Sequence, residues 1–207
     1  LINVRNGMLD WETLELFSHD PKYYSTYQVN AVWDPKSKCP VTDAWMESIF
    51  GTEIIKLLWQ VMGVTIHPAM GFQKAIALIG GGLNGKGTFL RLCHALLPDS
   101  AICAIDPKVL TSNRFASAEL FGKTANICGD IERFTFNSTA EFKKITGEDI
   151  INAERKNGHP FTFQSEATML FSGNKMPASR DTSLGWFRRW IIIPMNHTIQ
   201  GPPDRTL

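Results

Sequence analysis

The stretch Gly80-Gly81-Gly82-Leu83-Asn84-Gly85-Lys86-Gly87-Thr88 follows the apolar run Ala75-Ile76-Ala77-Leu78-Ile79 and precedes Phe89-Leu90-Arg91-Leu92. This order predicts a strand, a glycine-rich loop and a helix. A loop with so little Cβ bulk can turn successive backbone N–H groups toward one point. The amino end of the following helix adds positive potential there. The stretch therefore predicts a site for a polyanion, and the rest of the chain is interpreted around it.

The loop departs at one position from the phosphate-binding pattern G-x-x-x-x-G-K-[ST], because Gly87 follows Lys86 and the hydroxyl comes one residue later, at Thr88. We expect Lys86 to supply a charge for the terminal phosphates of ATP, and Thr88 to lie on the side of a Mg²⁺ ion. The residues predicted to surround the phosphates are Gly80, Gly81, Gly82, Asn84, Gly85, Lys86, Gly87 and Thr88. The simpler alternative is a glycine-rich turn with an unrelated lysine.

Composition narrows the class of protein. Of the 207 residues 43% are hydrophobic and 20% are charged, which is typical of a globular protein with one sizeable core. No apolar run has the length of a membrane span, so we expect a cytoplasmic protein, bacterial or host, without a membrane partner. The four cysteines lack metal-site spacing and are interpreted as reduced thiols. A net charge of +1 means that any nucleic-acid binding needs a local basic patch.

Residues 1–70 read as a small mixed or helical module of their own. Short apolar stretches are separated by turn signals, and then Trp45, Ile49, Ile54 and later apolar residues recur at helical spacing. The run 23–29 has the composition of a strand. Its three tyrosines could stack on bases, although packing is the simpler interpretation.

From residue 71 to residue 207 apolar strands alternate with helical segments, which predicts an α/β layer with a mainly parallel sheet. Helices are predicted near 88–97 and 139–146. The predicted strands span 74–79, 101–105, 124–129, 167–173 and 189–194. The chain opens without a methionine and stops soon after the last strand, so we expect a fragment that lacks a carboxy-terminal part.

Two acidic residues follow the strand predicted at 124–129. Asp130 stands at its end, where a carboxylate can hold Mg²⁺ opposite a phosphate loop. If the strand continues, period-two geometry places Glu132 on the same side as Asp130, so that one acid serves the metal and the other polarises the attacking water.

Polar residues also flank the next two strands. Asn174 follows the strand predicted at 167–173, where an amide can hold the lytic water or simply stabilise its own turn. Arg188 and Arg189 precede the run Ile191-Ile192-Ile193. Such a pair can cap an exposed strand end, or it can reach the γ-phosphate of a neighbouring subunit.

The dipeptide Asn157-Gly158 lies between two strand-like runs and predicts a β-hairpin. Its tip carries Arg155, Lys156 and His159, which are candidates for DNA contact. Solvated hairpin tips are also often basic without any such role.

Taken in order, these motifs resemble the superfamily 3 helicases, specifically the primase-helicases of phages, plasmids and poxviruses. The resemblance rests on N-G-K-G-T-F, on Asp130, on F-K-K-I-T-G-E-D before the basic hairpin, on S-G-N-K-M-P and on F-R-R-W-I-I-I-P. The segments N-G-M-L-D-W and H-D-P-K-Y-Y are similar to the amino-terminal module of that family.

The resemblance implies an AAA+-type P-loop ATPase core that works as a homo-hexamer on single-stranded DNA, with a primase domain on the same parent chain. It implies that Lys86 binds phosphates, Asp130 holds the metal, Asn174 is the sensor and Lys156 heads the DNA-contacting hairpin. It also implies that Arg188 is the arginine finger, with Arg189 as the alternate. Where the family often has a glutamate or an acidic pair, this chain has Gly129-Asp130, so the acid that polarises water stays open.

The leading hypothesis is therefore an ATP-dependent DNA helicase motor for replication. A P-loop nucleotide kinase is the alternative, because G-K-G-T also suits phosphoryl transfer to a nucleotide. A kinase needs an acceptor pocket and a mobile basic lid, whereas this chain spends that length on a hairpin and a strand-end Asn. A non-catalytic DNA-binding or ring-scaffold module is a third possibility, which Lys86, Thr88 and Asp130 argue against.

Overall fold

The computed structural model describes residues 1–67 and 71–199. In chain order its strands are β1 (Ile2–Val4), β2 (Gly7–Leu9), β3 (Leu16–Phe17), β4 (Ala75–Ile79), β5 (Ile102–Cys103), β6 (Ala125–Ile131), β7 (Thr135–Phe136), β8 (Ile150–Glu154), β9 (Pro160–Gln164), β10 (Thr168–Gly173), β11 (Ala178–Ser179) and β12 (Trp190–Pro194). Its α-helices are α1 (Pro40–Phe50), α2 (Thr52–Ile66), α3 (Lys86–Ala95), α4 (Pro107–Ser112), α5 (Ala140–Thr146) and α6 (Leu184–Phe187). Short 3₁₀ helices lie at Pro21–Tyr23, Asp99–Ala101 and Ala116–Leu120.

A five-stranded sheet with the order β12-β4-β10-β6-β5 forms the centre of the protein. All four pairings between its strands are parallel. The prediction of an α/β protein with a mainly parallel sheet is therefore confirmed. Each predicted strand is present, because short apolar runs bounded by polar or glycine residues can be buried on both faces of such a sheet.

Different helices cover the two faces of this sheet. Ile76 and Leu78 of β4 belong to a hydrophobic cluster with α1, α2 and α3. Ala75 belongs to a second cluster, which contains Phe142 of α5 and Trp186 of α6. Fully burying one such large side chain contributes about 1.5–3 kcal/mol to folding. The result is a three-layer arrangement in which both helix layers fix the ends of the strands.

The amino-terminal residues form a small antiparallel sheet with the order β1-β2-β3. The run 23–29, predicted to be strand-like, is instead a 3₁₀ turn followed by irregular chain, with one bridge between Val29 and Val4. The helical spacing that starts at Trp45 is divided into α1 and α2, because Gly51 has φ +72 between them. The predicted boundary between residues 1–70 and 71–207 falls at residues 68–70, outside the described residues, and stays a prediction.

The helix after the glycine-rich loop begins at Lys86, two residues earlier than predicted, and ends at Ala95. The helix α5 agrees with the prediction to within one residue. None of the helices in residues 1–67 and 71–199 is both long and apolar enough to cross a membrane.

Candidate functional site

The glycine-rich loop joins the carboxyl end of β4 to the amino end of α3. Leu83 and Gly85 have φ values of +54 and +79, so the loop reverses direction twice within three residues. No atom lies within 4 Å of the positions that a Cβ would take on Gly81 or Gly82. The loop therefore leaves open space beside its backbone, as a bound anion requires.

The ammonium group of Lys86 is folded into this loop. It donates hydrogen bonds to the carbonyl oxygens of Gly80 at 2.7 Å and Gly81 at 2.5 Å, and to Oδ1 of Asn84 at 2.9 Å. Burial lowers the pKa of Lys86, while the nearby Asp130 carboxylate acts in the opposite direction. The lysine charge is thus held at the loop by three hydrogen bonds to neutral oxygens, which a charged phosphate oxygen can replace because it is a stronger acceptor.

Asn84 fixes the loop to the chain that follows β12. Its Nδ2 donates to the carbonyl oxygen of Met195 at 2.9 Å, and its side chain is buried. A Cβ on Gly80 would collide with that same carbonyl group, so glycine is required there. The backbone N–H of Ile199 also donates to the carbonyl oxygen of Leu83 at 2.6 Å. The loop conformation is therefore set from outside the loop.

Thr88 lies in the first turn of α3 and is half-buried. Its hydroxyl oxygen accepts a hydrogen bond from Nη2 of Arg91 at 3.0 Å. Sequence reasoning did not select Arg91. The signal was available, because residues three apart on a helix lie side by side.

Asp130 lies on a β-bulge near the carboxyl end of β6, at the same end of the parallel strands as the glycine-rich loop. Cys128 pairs with Phe171 and Ile131 pairs with Gly173, so two residues of β6 oppose the single residue Ser172. Asp130 has φ +52, which Asp adopts more easily than most residues. Its N–H faces the hydroxyl of Ser172 at 3.4 Å.

The second acid follows directly after this bulge. Asp130 and Glu132 are both exposed, whereas Ile131 between them is buried, so their placement on one side of the chain stays a prediction. Glu132 lies just beyond the end of β6 and is exposed. Ser172, which faces the bulge, was not predicted, and only the strand pairing shows its position.

Asn174 directly follows β10, the strand that lies between β4 and β6. The N–H of Gly80 donates to the carbonyl oxygen of Gly173 at 3.1 Å, so Asn174 is next to the start of the glycine-rich loop. In the sheet order β12-β4-β10-β6-β5, the connection after β4 runs to β5 at one edge of the sheet. The connection after β10 runs in the opposite direction, to β12 at the other edge. Ligands of open parallel sheets bind in the crevice at such a switch point. Lys86, Asp130 and Asn174 all border it.

The arginine pair lies at the amino ends of the strands, whereas the glycine-rich loop lies at their carboxyl ends. Because β12 is parallel to β4, residues that precede β12 are at the amino ends of the strands. A five-residue strand spans about 16 Å, so neither arginine can reach the loop of its own chain. Arg188 is exposed, whereas Arg189 is buried and donates to Gln73 and to the carbonyl oxygen of Thr146. Burial and the adjacent Arg188 lower the pKa of Arg189.

The predicted hairpin is confirmed: β8 and β9 pair in antiparallel register, from Ile150 with Gln164 to Glu154 with Pro160. Asn157 has φ +61, and the N–H of Gly158 donates to the carbonyl oxygen of Arg155 at 2.8 Å. The three basic tip residues Arg155, Lys156 and His159 are all exposed. The hairpin is also far along the chain from the loop, and packs on the 3₁₀ helix Ala116–Leu120.

Among residues 1–67 and 71–199 no group of three or more His, Cys, Asp and Glu side chains could hold a metal by itself. The hydroxyl of Thr88 and the carboxylate of Asp130 are oxygen ligands of the kind that Mg²⁺ prefers. Mg²⁺ is commonly bound through one or two protein carboxylates together with substrate phosphates. The residues present therefore fit a metal that arrives with a phosphorylated ligand.

The sequence is similar to a known protein family and to individual viral proteins. Residues 1–51 match the family described as D5 N terminal like. The chain is also 25% identical over 205 residues to a protein of African swine fever virus named "Putative primase C962R", with the same values for isolates from a warthog and a pig. The match covers 91% of this chain but only 21% of the viral protein. The chain thus spans about a fifth of the length of these relatives.

A similarity to a solved structure concerns the fold alone. The apo A form of the NrS-1 C-terminal region superposes with a TM-score of 0.59 at 16% sequence identity. The superposition covers 79% of this chain and 39% of that region.

Residues 78–189, from β4 to the start of β12, match the family of unknown function DUF5906. Because that match covers more than half of the chain, the protein belongs to the DUF5906 family.

Proposed function

We propose that this chain is the ATP-hydrolysing motor domain of a primase-helicase of the phage and viral type, which couples hydrolysis to movement along single-stranded DNA during replication. The observation that carries the proposal is geometric: the open loop with Lys86 and the bulge with Asp130 lie at the carboxyl ends of β4 and β6, which flank β10 in the parallel sheet.

The triphosphate of ATP fits the glycine-rich loop in chemical terms. Gly81 and Gly82 leave room for phosphate oxygens, and the amino end of α3 provides backbone N–H groups without partners in the helix. Lys86 exchanges its bonds to neutral carbonyl oxygens for phosphate oxygens, which are stronger acceptors because they are charged. Thr88 and Asp130 would hold the Mg²⁺ that accompanies the nucleotide, and this ion would neutralise charge that develops on the phosphates.

Two residues are candidates to position the attacking water. Asn174, next to Gly80, can orient water through its amide group. Glu132 is exposed beyond the bulge, and its carboxylate can accept a proton from water if the segment after β6 turns toward the crevice. The proposal uses Asn174 to position the water, because Gly173 just before it accepts a hydrogen bond from the N–H of Gly80 at the start of the loop.

Arg188 supports a ring as the working form. An exposed arginine about 16 Å from the loop of its own chain cannot serve that loop. It can serve the loop of a neighbouring copy, as arginine fingers supplied in trans do. A homo-hexamer, with Arg188 at each boundary, is therefore part of the proposal. The guanidinium of Arg189 is bonded to Gln73 and to the carbonyl oxygen of Thr146, so the proposal uses Arg188 as the finger.

The comparisons support the replication context. The name of the viral relative describes a primase, and a match to the D5 amino-terminal family covers the segment that precedes the core. A primase domain elsewhere on the parent chain agrees with the small share of the viral protein that this chain spans. The basic hairpin tip provides the proposed contact to single-stranded DNA.

The test is the rate of ATP hydrolysis with and without single-stranded DNA, measured beside the oligomeric state in solution. We expect stimulation by DNA and a loss of about two orders of magnitude or more in Lys86→Ala, because one preorganised charge is removed. Lys36→Ala, a change of an exposed lysine in the amino-terminal part, is the matched control. A near-parental rate in Lys86→Ala would overturn the assignment. Phosphate transfer to a nucleotide instead of to water would favour the kinase.

A further inference from the structure

An open groove of about 700 Å³ lies beside the base of the hairpin, away from the nucleotide crevice. Its walls are the short edge strand β5 on one side and the hairpin on the other. The side chains that matter here are Phe115, Phe121, Lys123, Arg155 and Lys156. We call this feature the aromatic groove. We propose that it holds an unpaired base of single-stranded DNA, with Phe121 as the ring on which the base stacks.

The first argument is the exposure and rigidity of Phe121. The side chain is 51% exposed, although it sits on the folded core and not on a loose terminus. Phe161 and Phe163 both lie 5.4 Å from it, ring centre to ring centre, at interplanar angles of 79° and 89°. Two near-perpendicular rings therefore hold Phe121 in place. A fixed, exposed aromatic face is what a stacking base requires, since little conformational entropy is lost on binding.

The second argument is charge. Lys123, Arg155 and Lys156 line the groove, against one carboxylate, that of Glu119. The chain as a whole has a net charge of only +1, so this concentration of cations is local. A base carries its phosphate with it, and cations that line the same groove can neutralise that phosphate. The charge pattern thus complements a nucleotide and not a neutral apolar partner.

The third argument is the position of Arg155. Its guanidinium lies 5.4 Å from the ring centre of Phe161 and 5.9 Å from that of Phe121. A guanidinium that stacks on aromatic rings keeps N–H groups at its edge free for phosphate oxygens. Arg114 repeats the arrangement on Phe115 at 4.6 Å, while pairing with Glu154. Arg155 and Phe121 are therefore placed so that one can bind a phosphate while the other stacks on the attached base.

The groove selects single strands for a physical reason. In a duplex each base is already stacked and paired, so its face is closed to a protein ring. An unpaired base can turn its face onto Phe121 without that cost. The inference rests on the proposed single-stranded DNA substrate, and it extends the contact from the phosphates at the hairpin tip to the bases.

The experiment compares two strands of equal length in the absence of nucleotide: oligothymidylate and the same sugar-phosphate chain without bases. Affinities are measured by fluorescence anisotropy at one salt concentration. We expect the protein to bind the strand with bases about 5- to 150-fold more tightly, the range for one stacked base. Phe121→Leu should lose most of that preference while keeping its affinity for the base-free strand. Phe121→Trp should retain it.

Trp11→Leu is the matched control, because Trp11 is 54% exposed and lies outside the groove. Equal preference in Phe121→Leu and the parent protein, or no preference in the parent, would overturn the proposal. A bromouracil-substituted strand crosslinked to the unaltered protein tests the same contact without a mutation. Crosslinks within residues 115–123 are expected, and crosslinks confined to other segments would contradict it. Failure of the motor proposal would appear separately, as DNA binding without ATP hydrolysis.

Discussion

The guanidinium of Arg189 donates a hydrogen bond to the side-chain oxygen of Gln73 at 2.9 Å, across the amino ends of β12 and β4. The same group reaches the carbonyl oxygen of Thr146, the last residue of α5. Arg189 thereby ties three elements together at one edge of the sheet. Its neighbour Arg188 instead has an exposed side chain. Two adjacent arginines that look equivalent in sequence therefore have different environments.

Arg189→Ala should lower the free energy of unfolding by about 1–3 kcal/mol, because a buried acceptor on Thr146 and a half-buried one on Gln73 lose a charged donor. Arg189→Lys should restore little of it, since an ammonium group cannot reproduce the planar fork of the guanidinium. Urea unfolding measures both. Arg188→Ala is the matched control and should stay within about 0.5 kcal/mol of the parent protein. Equal losses at both positions would contradict the assignment.

Arg188→Ala should abolish hydrolysis in the assembled protein while ATP still binds, because a finger in trans is worth about three or more decades in rate. Mixing Arg188→Ala with Lys86→Ala subunits should restore some hydrolysis, since certain boundaries then carry an intact loop and an intact finger. Arg180→Ala, at another exposed arginine, is the control. Mixed rings that recover no activity at any ratio would count against the trans role.

Asp130→Asn should keep the fold, because Asn also tolerates the left-handed conformation that the bulge requires. We expect a fall of about two orders of magnitude in hydrolysis, since the carboxylate that would hold the metal becomes a neutral amide. ATP affinity should be compared with and without Mg²⁺ by calorimetry. The loss should be confined to the measurements with metal. Asp99→Asn, at an exposed acid, should behave as the parent protein.

Lys156→Ala should flatten the dependence of DNA affinity on salt, because each lost phosphate contact changes the slope of log affinity against log salt by about 0.7 for single strands. ATP affinity should not change, as the tip is outside the crevice. Titration of a fluorescent single strand at several salt concentrations gives the slope. Lys36→Ala is again the control. A slope identical to that of the parent protein would exclude the tip from the DNA contact.

Asp181→Asn tests the attachment of α5, which leads into the hairpin. Oδ2 of Asp181 accepts from Nζ of Lys143 at 2.7 Å and from the hydroxyl of Thr139 at 2.5 Å. Lys143, followed by Ser183 and Thr139, holds the pKa of Asp181 well below its ordinary value of 3.8. A carboxyl group whose pKa is lower in the folded state than in the unfolded state stabilises the fold at pH values above its unfolded-state pKa. This contribution is lost as the pH falls through its folded-state pKa.

The parent protein should therefore exceed Asp181→Asn in stability near neutral pH. The difference should shrink as the pH is lowered below about 4. Thermal unfolding followed by circular dichroism across that range measures it. A difference that does not change with pH would mean that packing, and not the charge of Asp181, holds α5.

The parallel sheet and the hairpin were predictable because both depend on local signals: apolar runs bounded by turn residues, and the Asn157-Gly158 turn. The strand order was not, because it depends on contacts between distant parts of the chain. Asn84 and Met195 touch across 111 residues of sequence. The bulge at Asp130 likewise needs the partner strand, since it consists of two residues of β6 that oppose Ser172 of β10. The edge on which Arg188 lies follows from strand direction, which the sequence does not display.

The strand β12 has a consequence for timing. At its carboxyl end the N–H of Met195 donates to the carbonyl oxygen of Ile79, and the carbonyl oxygen of Met195 accepts from Asn84 in the loop. At its amino end stands Arg188, which in the proposed ring faces the next subunit. Between them runs a strand paired with β4 along its whole length. A strand paired in this way is stiff, so in the proposed ring a shift of the loop on binding or releasing nucleotide would be passed to Arg188. The subunits of such a ring would then hydrolyse ATP one after another, because the nucleotide state of each subunit would set the position of Arg188 at the next boundary.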